Sequence, residues 1–334
     1  MTSYSVGDLS QSLLFRRQNL TLKSDVQRLS QEMTTGRASD VAARVKGDVK
    51  PLASIENALA KNAGYAALTG ELQRSAGAMQ SALSSVASLS SGLASSLIGT
   101  ATSAVPSQIA SLGADARNRF ETVVALLNTR LGDRSLFAGV ASNSVALADA
   151  DVMLTALQAA TSGAASAQDV ETTLDQWFGP LGGFETMGFS GGVALAAVEI
   201  APGESARQDV TASDPAIRST LKGLAMAALL DRGVLSGNAS GRQDLARRAG
   251  LSLVASADER VYLQGHLGRH EAQVSAAEAC NQAEASSLEI ARSNILAVDP
   301  YETASRLEAT QTRLETIYAL TARMSRLNLV DFLR

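Results

Sequence analysis

Cysteine occurs once in this chain, as Cys280, and histidine twice, as His266 and His270, among 334 residues. That scarcity excludes an internal disulfide framework and a cysteine-built zinc site, and it leaves few groups able to act as nucleophile or general base. Aromatic residues make up only 4% although apolar residues reach 46%. The apolar material is therefore mostly Ala, Leu and Val, which suits thin helix–helix packing rather than a thick core. Proline is absent between Pro51 and Pro106 and again between Pro215 and Pro300, so long helices meet no breaker there. With a net charge of −4, no basic block stands ready to neutralise phosphates, which argues against a nucleic-acid partner. We find no continuous apolar run of about 18 residues and expect no transmembrane helix or membrane insertion. Asp8, Arg16 and Arg17 interrupt the first 23 residues, so no apolar core of a cleaved secretory signal is expected. Read alone, this implies a cytoplasmic chain or export by a route without such a signal.

What is present is helical periodicity. Leu72, Ala76, Met79, Leu83, Val86, Ser90, Leu93 and Leu97 recur at alternating spacings of four and three, the seam by which one helix buries a narrow stripe against another. The proline-free stretch around it is long enough for a helix of ~50 residues, ~75 Å at 1.5 Å per residue. Upstream, a first helix is expected from Asp8 to Thr34, with Phe15, Leu22, Val26, Leu29 and Met33 on one stripe and Gly36 as its stop. Pro51 opens the long second helix. A third helix is expected from Ile109 to Leu131, ended by Gly132. Asp214-Pro215 restarts helix, a break near Gly233 to Gly241 follows, and a second long helix begins near Gln243. Asp299-Pro300-Tyr301-Glu302 gives an acidic cap, proline at the first position and Glu at the third. The last helix carries Leu307, Leu314, Ile317, Met324 and Leu327 on one face.

Between Phe137 and Asp214 the pattern turns rich in Gly, Ser and Ala and holds the sole Trp, Trp177. Ala167 to Phe178 reads as a short helix, Val193 to Ile200 as a strand, and Ala206 to Thr211 as a second strand after a Pro202-Gly203 turn. The fold expected is mainly α: an elongated bundle of long antiparallel helices formed by both chain ends, with a small α+β module inserted. Three domains are expected: residues 1–45 with 285–334 as a terminal assembly domain, 46–136 with 215–284 as a long-helix rod, and 137–214 as an outer module.

Chemical signals are weak. Gly188-Phe189-Ser190-Gly191-Gly192 fits the nucleophile-elbow pattern, but that motif needs a strand before the serine and a helix after it; here the context is loop then strand, and a glycine-rich turn is the expectation. His266 and His270 share a helical face at i, i+4 without a carboxylate cluster to complete a metal site, and solvated helix surface is expected. Asp149 and Asp151 form a pair common in polar loops, Arg16-Arg17 and Arg247-Arg248 read as solvated faces, and Cys280 as a small apolar filler. No nucleotide fingerprint occurs. No enzyme, cofactor or metal site is expected. The apolar helical stripes exceed what so thin a monomer covers, which marks an assembly surface: Phe15, Leu22, Val26, Leu29, Met33, Leu307, Leu314, Ile317, Met324 and Leu327.

Three segments carry a resemblance. Leu29-Ser30-Gln31-Glu32-Met33-Thr34-Thr35-Gly36-Arg37 resembles the close of the first helix in flagellins and their relatives. Asn128 to Gly139, ending Leu136-Phe137-Ala138-Gly139, and Ala322 to Leu333 resemble the corresponding stretches of the hook-associated proteins that join hook to filament. The loop after Gly36 departs from that family in lacking an Asp-Pro step. The resemblance implies a structural protein of the bacterial flagellum, exported without a cleaved signal to the hook–filament junction outside the cell. It also implies self-assembly through the terminal helices, with an adjoining hook-associated protein, flagellin and an export chaperone as partners. Flagellin itself, a cytoplasmic coiled-coil adaptor and a hydrolase using Ser190 are the alternatives.

Overall fold

The computed structural model describes residues 6–101 and 105–332. The chain divides into two compact units, residues 1–63 with 283–334 and residues 64–282. The first unit opens with α1 (Val6–Thr35), which stops where expected: Gly36 adopts φ +68° and its N–H donates to Glu32 O at 2.8 Å. A single turn, α2 (Val41–Arg44), follows, with the Asp40 carboxylate accepting from Ala43 N. The periodicity gave no sign of it, because four residues are too few to show one. The long helix α3 runs from Lys50 to Ala101, and its first residues up to Ala63 belong to this unit. The remainder comes from the other end of the chain: the close of α8 (Ala239–Leu296) and α9 (Pro300–Phe332). Asp299 caps α9 by accepting from Tyr301 N at 2.8 Å, as its sequence promised.

In the second unit every member of the Leu72–Leu97 seam is buried, Ser90 included, its hydroxyl donating to Val86 O at 2.6 Å. α4 (Pro106–Leu127) starts at its proline but ends four residues short of the expected Leu131. Asn128 intervenes: its side chain accepts from Leu147 N at 2.8 Å and donates to Leu147 O at 3.0 Å, tying the helix end to a distant loop. The residues freed form a tight antiparallel hairpin, β1 (Arg130–Leu131) with β2 (Arg134–Ser135), around Gly132 at φ +63°. Two helices follow: α5 (Ala150–Ala160), unforeseen in so Ala- and Ser-rich a region, and α6 (Ala167–Phe178), with the bounds expected and a Ser166–Asp169 capping box. A single wide turn, Phe184–Gly188, leads on from them.

The second hairpin pairs β3 (Val198–Ala201) with β4 (Glu204–Ala206). It is shorter than the expected strands on both sides, since Val193–Ala197 and Arg207–Thr211 carry no strand pairing. Ile200 and Ala206 pack with Leu72, Val274 and Ala277 in a small second core cluster, and Asn281 of α8 donates to Ile200 O at 2.8 Å. α7 (Pro215–Ala228) is capped by Asp214, which accepts from Ala216 N at 3.0 Å. A Cβ at Gly223 would stand 2.7 Å from Leu253 Cδ2, and one at Gly250 would stand 2.8 Å from Ile98 Cγ1. At those points α7 meets α8, and α8 meets α3, at backbone distance.

Residues 137–214 lie wholly within this unit, and Trp177, Phe178 and Phe184 join the same continuous core as Met79, Phe120 and Leu224. Trp177 and Phe178 meet edge-on at 4.7 Å between ring centres. α3 is, by length and composition alone, able to cross a membrane, contrary to the sequence expectation. Its stretch from Ser75 to Ala101 holds no charged residue, although frequent serines disguise that run in the sequence. The apolar seam responsible is buried inside this unit's core.

Candidate assembly surface

The expected interface residues gather in the first unit. α1 and α9 lie side by side and antiparallel, joined at one end by an Arg37–Ala297 bridge and by Val298 N donating to Gly36 O at 3.1 Å. Further along, the Lys23 ammonium sits 5.6 Å from the centre of the Tyr318 ring. Leu29 and Ile317 are buried in this pair, while Phe15, Leu22, Val26, Leu307 and Leu314 are half-buried. Met33 is exposed. The side chains of Met324 and Leu327 lie outside the described residues. The stripe read from the sequence is therefore largely used within the chain, to zip α1 against α9.

Polar groups fix the closed end of the pair. Glu32 is buried, accepting from Ser39 N at 3.0 Å and pairing with Arg28 at 3.3 Å, while Arg28 also holds Asp25 at 3.1 Å. Asp25, first, and then Glu32 raise the Arg28 pKa above its ordinary value. A polar cleft of about 260 Å³ opens here, lined by acids and bases in balance, so it favours no ion of either sign.

Apart from Met33, the apolar groups left uncovered are different ones. Leu13, Leu14 and Leu20 of α1 are each more than 60% exposed, as is Ile290 of α8, and Tyr318 and Leu320 of α9 are over 40% exposed. Leu13 and Leu20 stand seven apart and share one face. They escape a reading of the heptad stripe because they lie off it; the signal was that α1 is apolar at more positions than one stripe needs.

The residues weighed for chemistry fall elsewhere. Ser190 is exposed on a turn whose backbone N–H donates to Ala146 O at 2.9 Å, with neither strand before it nor helix after it. Asp149 is the N-cap of α5, and Asp151 pairs with Arg232. Arg248 is not a free surface cation: it bridges Asp244 at 2.8 Å and Glu171. Cys280 is exposed rather than a core filler. His266 is partly solvated beside Asp209 at 3.5 Å, but His270 is buried, against the expectation of a solvated pair. Among the described residues, no three His, Cys, Asp or Glu side chains are placed to hold a metal ion.

Residues 256–333 match the family model for the bacterial flagellin C-terminal helical region. More particularly, the fold is similar to that of a chain from Vibrio parahaemolyticus classed as a flagellar hook-associated protein. That likeness has a TM-score of 0.52 at 13% identity over 73% of this chain and 95% of that one. The crystal structure of Bacillus cereus FlgL aligns over 84% of this chain and 99% of its own length at 9% identity, with a TM-score of 0.39. No curated protein matches the chain.

Proposed function

We propose that this chain is a structural, non-enzymatic subunit of the bacterial flagellum that polymerises at the junction between hook and filament. The observation that carries the reading is the coincidence of two features in the terminal unit. Its C-terminal helices lie within residues 256–333, which match the flagellin helical region, and its α1–α9 pair leaves Leu13, Leu14 and Leu20 facing solvent. Apolar helix surface of that extent is stabilised by covering it with another helix. On this reading Leu22, Val26, Leu29, Leu307, Leu314 and Ile317 hold the pair together and so present the surface. Met33 and the exposed leucines meet neighbouring subunits. Phe15, Met324 and Leu327 extend the same terminal region. The neighbours are further copies of this chain, an adjoining hook-associated protein and flagellin, with an export chaperone before assembly. The location is outside the cell.

A second reading, flagellin itself, is favoured by the match of residues 256–333 to the flagellin C-terminal helical region. Immunogold electron microscopy of whole cells with antibody against this chain separates the two. The junction reading expects one band where hook meets filament. Label along the whole filament makes the chain a flagellin, and label confined to the cytoplasm overturns both.

A further inference from the structure

Along α8, Leu263, Leu267, His270, Val274, Ala277 and Asn281 recur at spacings of four and three, and all are buried. His270 thus takes a seam position in a mainly apolar stripe, 8% exposed. Both of its ring nitrogens are sealed from solvent with no hydrogen-bond partner. A neutral imidazole offers one donor and one acceptor, and leaving both unmet is tolerable only because neither carries a full charge. Adding a proton would put an uncompensated cation among Leu and Val side chains, where charge is most strongly penalised.

The surroundings offer little relief. Across the seam, α3 carries no titratable side chain from Ser75 to Ala101; a Cβ at its Gly77 would stand 3.9 Å from Glu271 Oε1. From the connection between β4 and α7 comes Asp209, already engaged with His266 at 3.5 Å. Asp214, beside Asp209 and His266, is occupied as the cap of α7. On α8 itself stand His266, a second potential cation, and Glu271. Burial holds the His270 imidazole below the ordinary histidine value; Asp209 and Glu271 oppose that shift and His266 adds to it.

We propose that His270 is an acid-sensitive latch between α8 and α3, closed while the imidazole is neutral and released when it takes a proton. The sign follows from linkage. With α8 loosened, the ring protonates near its ordinary value of about 6.5; with the seam closed it does so only at lower pH. The open state therefore binds more protons between those two values. Closure is fully favoured above about pH 6.5, weakens as the pH falls, and stops weakening below the closed-state value. The opening equilibrium shifts by at most about tenfold per pH unit across that window. This stands on the second unit's packing and does not depend on the flagellar reading.

The chain holds only two histidines, so imidazole NMR of the full chain shows two titrating rings, with H270Q identifying one. The expected result is that the His270 ring titrates below the ordinary value. Amide protection factors at residues 267–274, referred to the unstructured chain at each pH, should fall between pH 7 and pH 5. That fall should be absent in H270L and retained in H266Q. A His270 ring titrating at or above about 6.5, or protection that falls equally in H270L, overturns the latch. Should H270L fail to fold, the titration of the unmodified chain decides alone.

Discussion

The two units of this molecule are held together by different amounts of the same material. In residues 64–282 one continuous apolar core runs through α3, α4, α5, α6, α7 and α8. In residues 1–63 with 283–334, the described residues that are buried number six: Leu29, Leu52 and Ile317, with Glu32, Asn62 and Thr303. Half of them are polar. Full burial of an aliphatic side chain is worth about 1.5–3 kcal/mol, so three of them give the terminal unit little to hold it. A helix pair with one narrow seam draws most of its order from tertiary packing, and this pair has little of its own. The difference lies in the core: the second unit builds a continuous one within the chain, whereas the first buries few apolar side chains, and on the proposed reading neighbouring subunits supply the packing it lacks.

The comparison breaks most visibly in the core of the second unit. Phe120 is fully buried, and Phe120→Ala should cost about 3–5 kcal/mol through lost transfer energy and the cavity left behind. Trp177, the sole tryptophan, lies in this unit and is largely buried, so its fluorescence in a urea titration reports that loss. A midpoint unchanged from the parent would mean the core is not the cooperative unit described.

A smaller effect in the opposite sense, overpacking rather than a cavity, is expected at Gly250. Its missing side chain leaves room for Ile98 Cγ1, and a Cβ would also stand 3.1 Å from Leu97 Cβ. Gly250→Ala should cost about 1–3 kcal/mol by the same fluorescence measurement. Gly268, with nothing within 4 Å of a Cβ, is the matched control on the same helix. Gly268→Ala should stabilise by up to about 1 kcal/mol through helix propensity.

In the terminal unit the clearest single contribution is a cap. Asp299 accepts from Tyr301 N at 2.8 Å and from Glu302 N at 3.2 Å. Asp299→Ala should cost about 1 kcal/mol, seen as faster amide exchange in the first turn of α9 with the Trp177 transition unmoved. Equal losses in both places would mean the two units unfold as one.

The long elements were legible because periodicity accumulates. The eight seam positions of α3 each add to the same stripe, and Asp214-Pro215 and Asp299-Pro300 mark helix starts by a local mechanism that needs no tertiary context. What failed were features set by distant partners. α4 stops at Asn128 because Leu147 offers a backbone N–H and C=O to its amide, nineteen residues away. The stretch from Val193 has strand-like composition but gains a ladder only from Val198 onward. His270 looks like a surface residue beside His266 until the phase of Leu263, Leu267 and Val274 is followed across it. At the candidate surface the sequence showed one apolar stripe on α1, but neither the leucines beside it nor which part of the stripe α9 consumes. The two helices choose that by their rotation about each other.

The smallest effect on folding is expected where the effect on assembly is largest. Leu20 is 64% exposed and lies off the α1–α9 seam, so Leu20→Asp removes little internal packing and should stay within about 0.5 kcal/mol of the parent. Buried in a subunit interface, however, an aspartate without a partner is strongly destabilising, and incorporation at the flagellum should be lost while the purified chain keeps its helical circular dichroism. Ile317→Asp provides the contrast, because Ile317 is buried within the pair: there the loss of assembly should come with loss of α1–α9 order. The decisive pattern is the split. If Leu20→Asp incorporates normally and only Ile317→Asp fails, the exposed leucines are not the assembly surface and the seam alone matters. If both fail but only Ile317→Asp disturbs the purified chain, the pair builds the surface and the leucines off the seam make the contact.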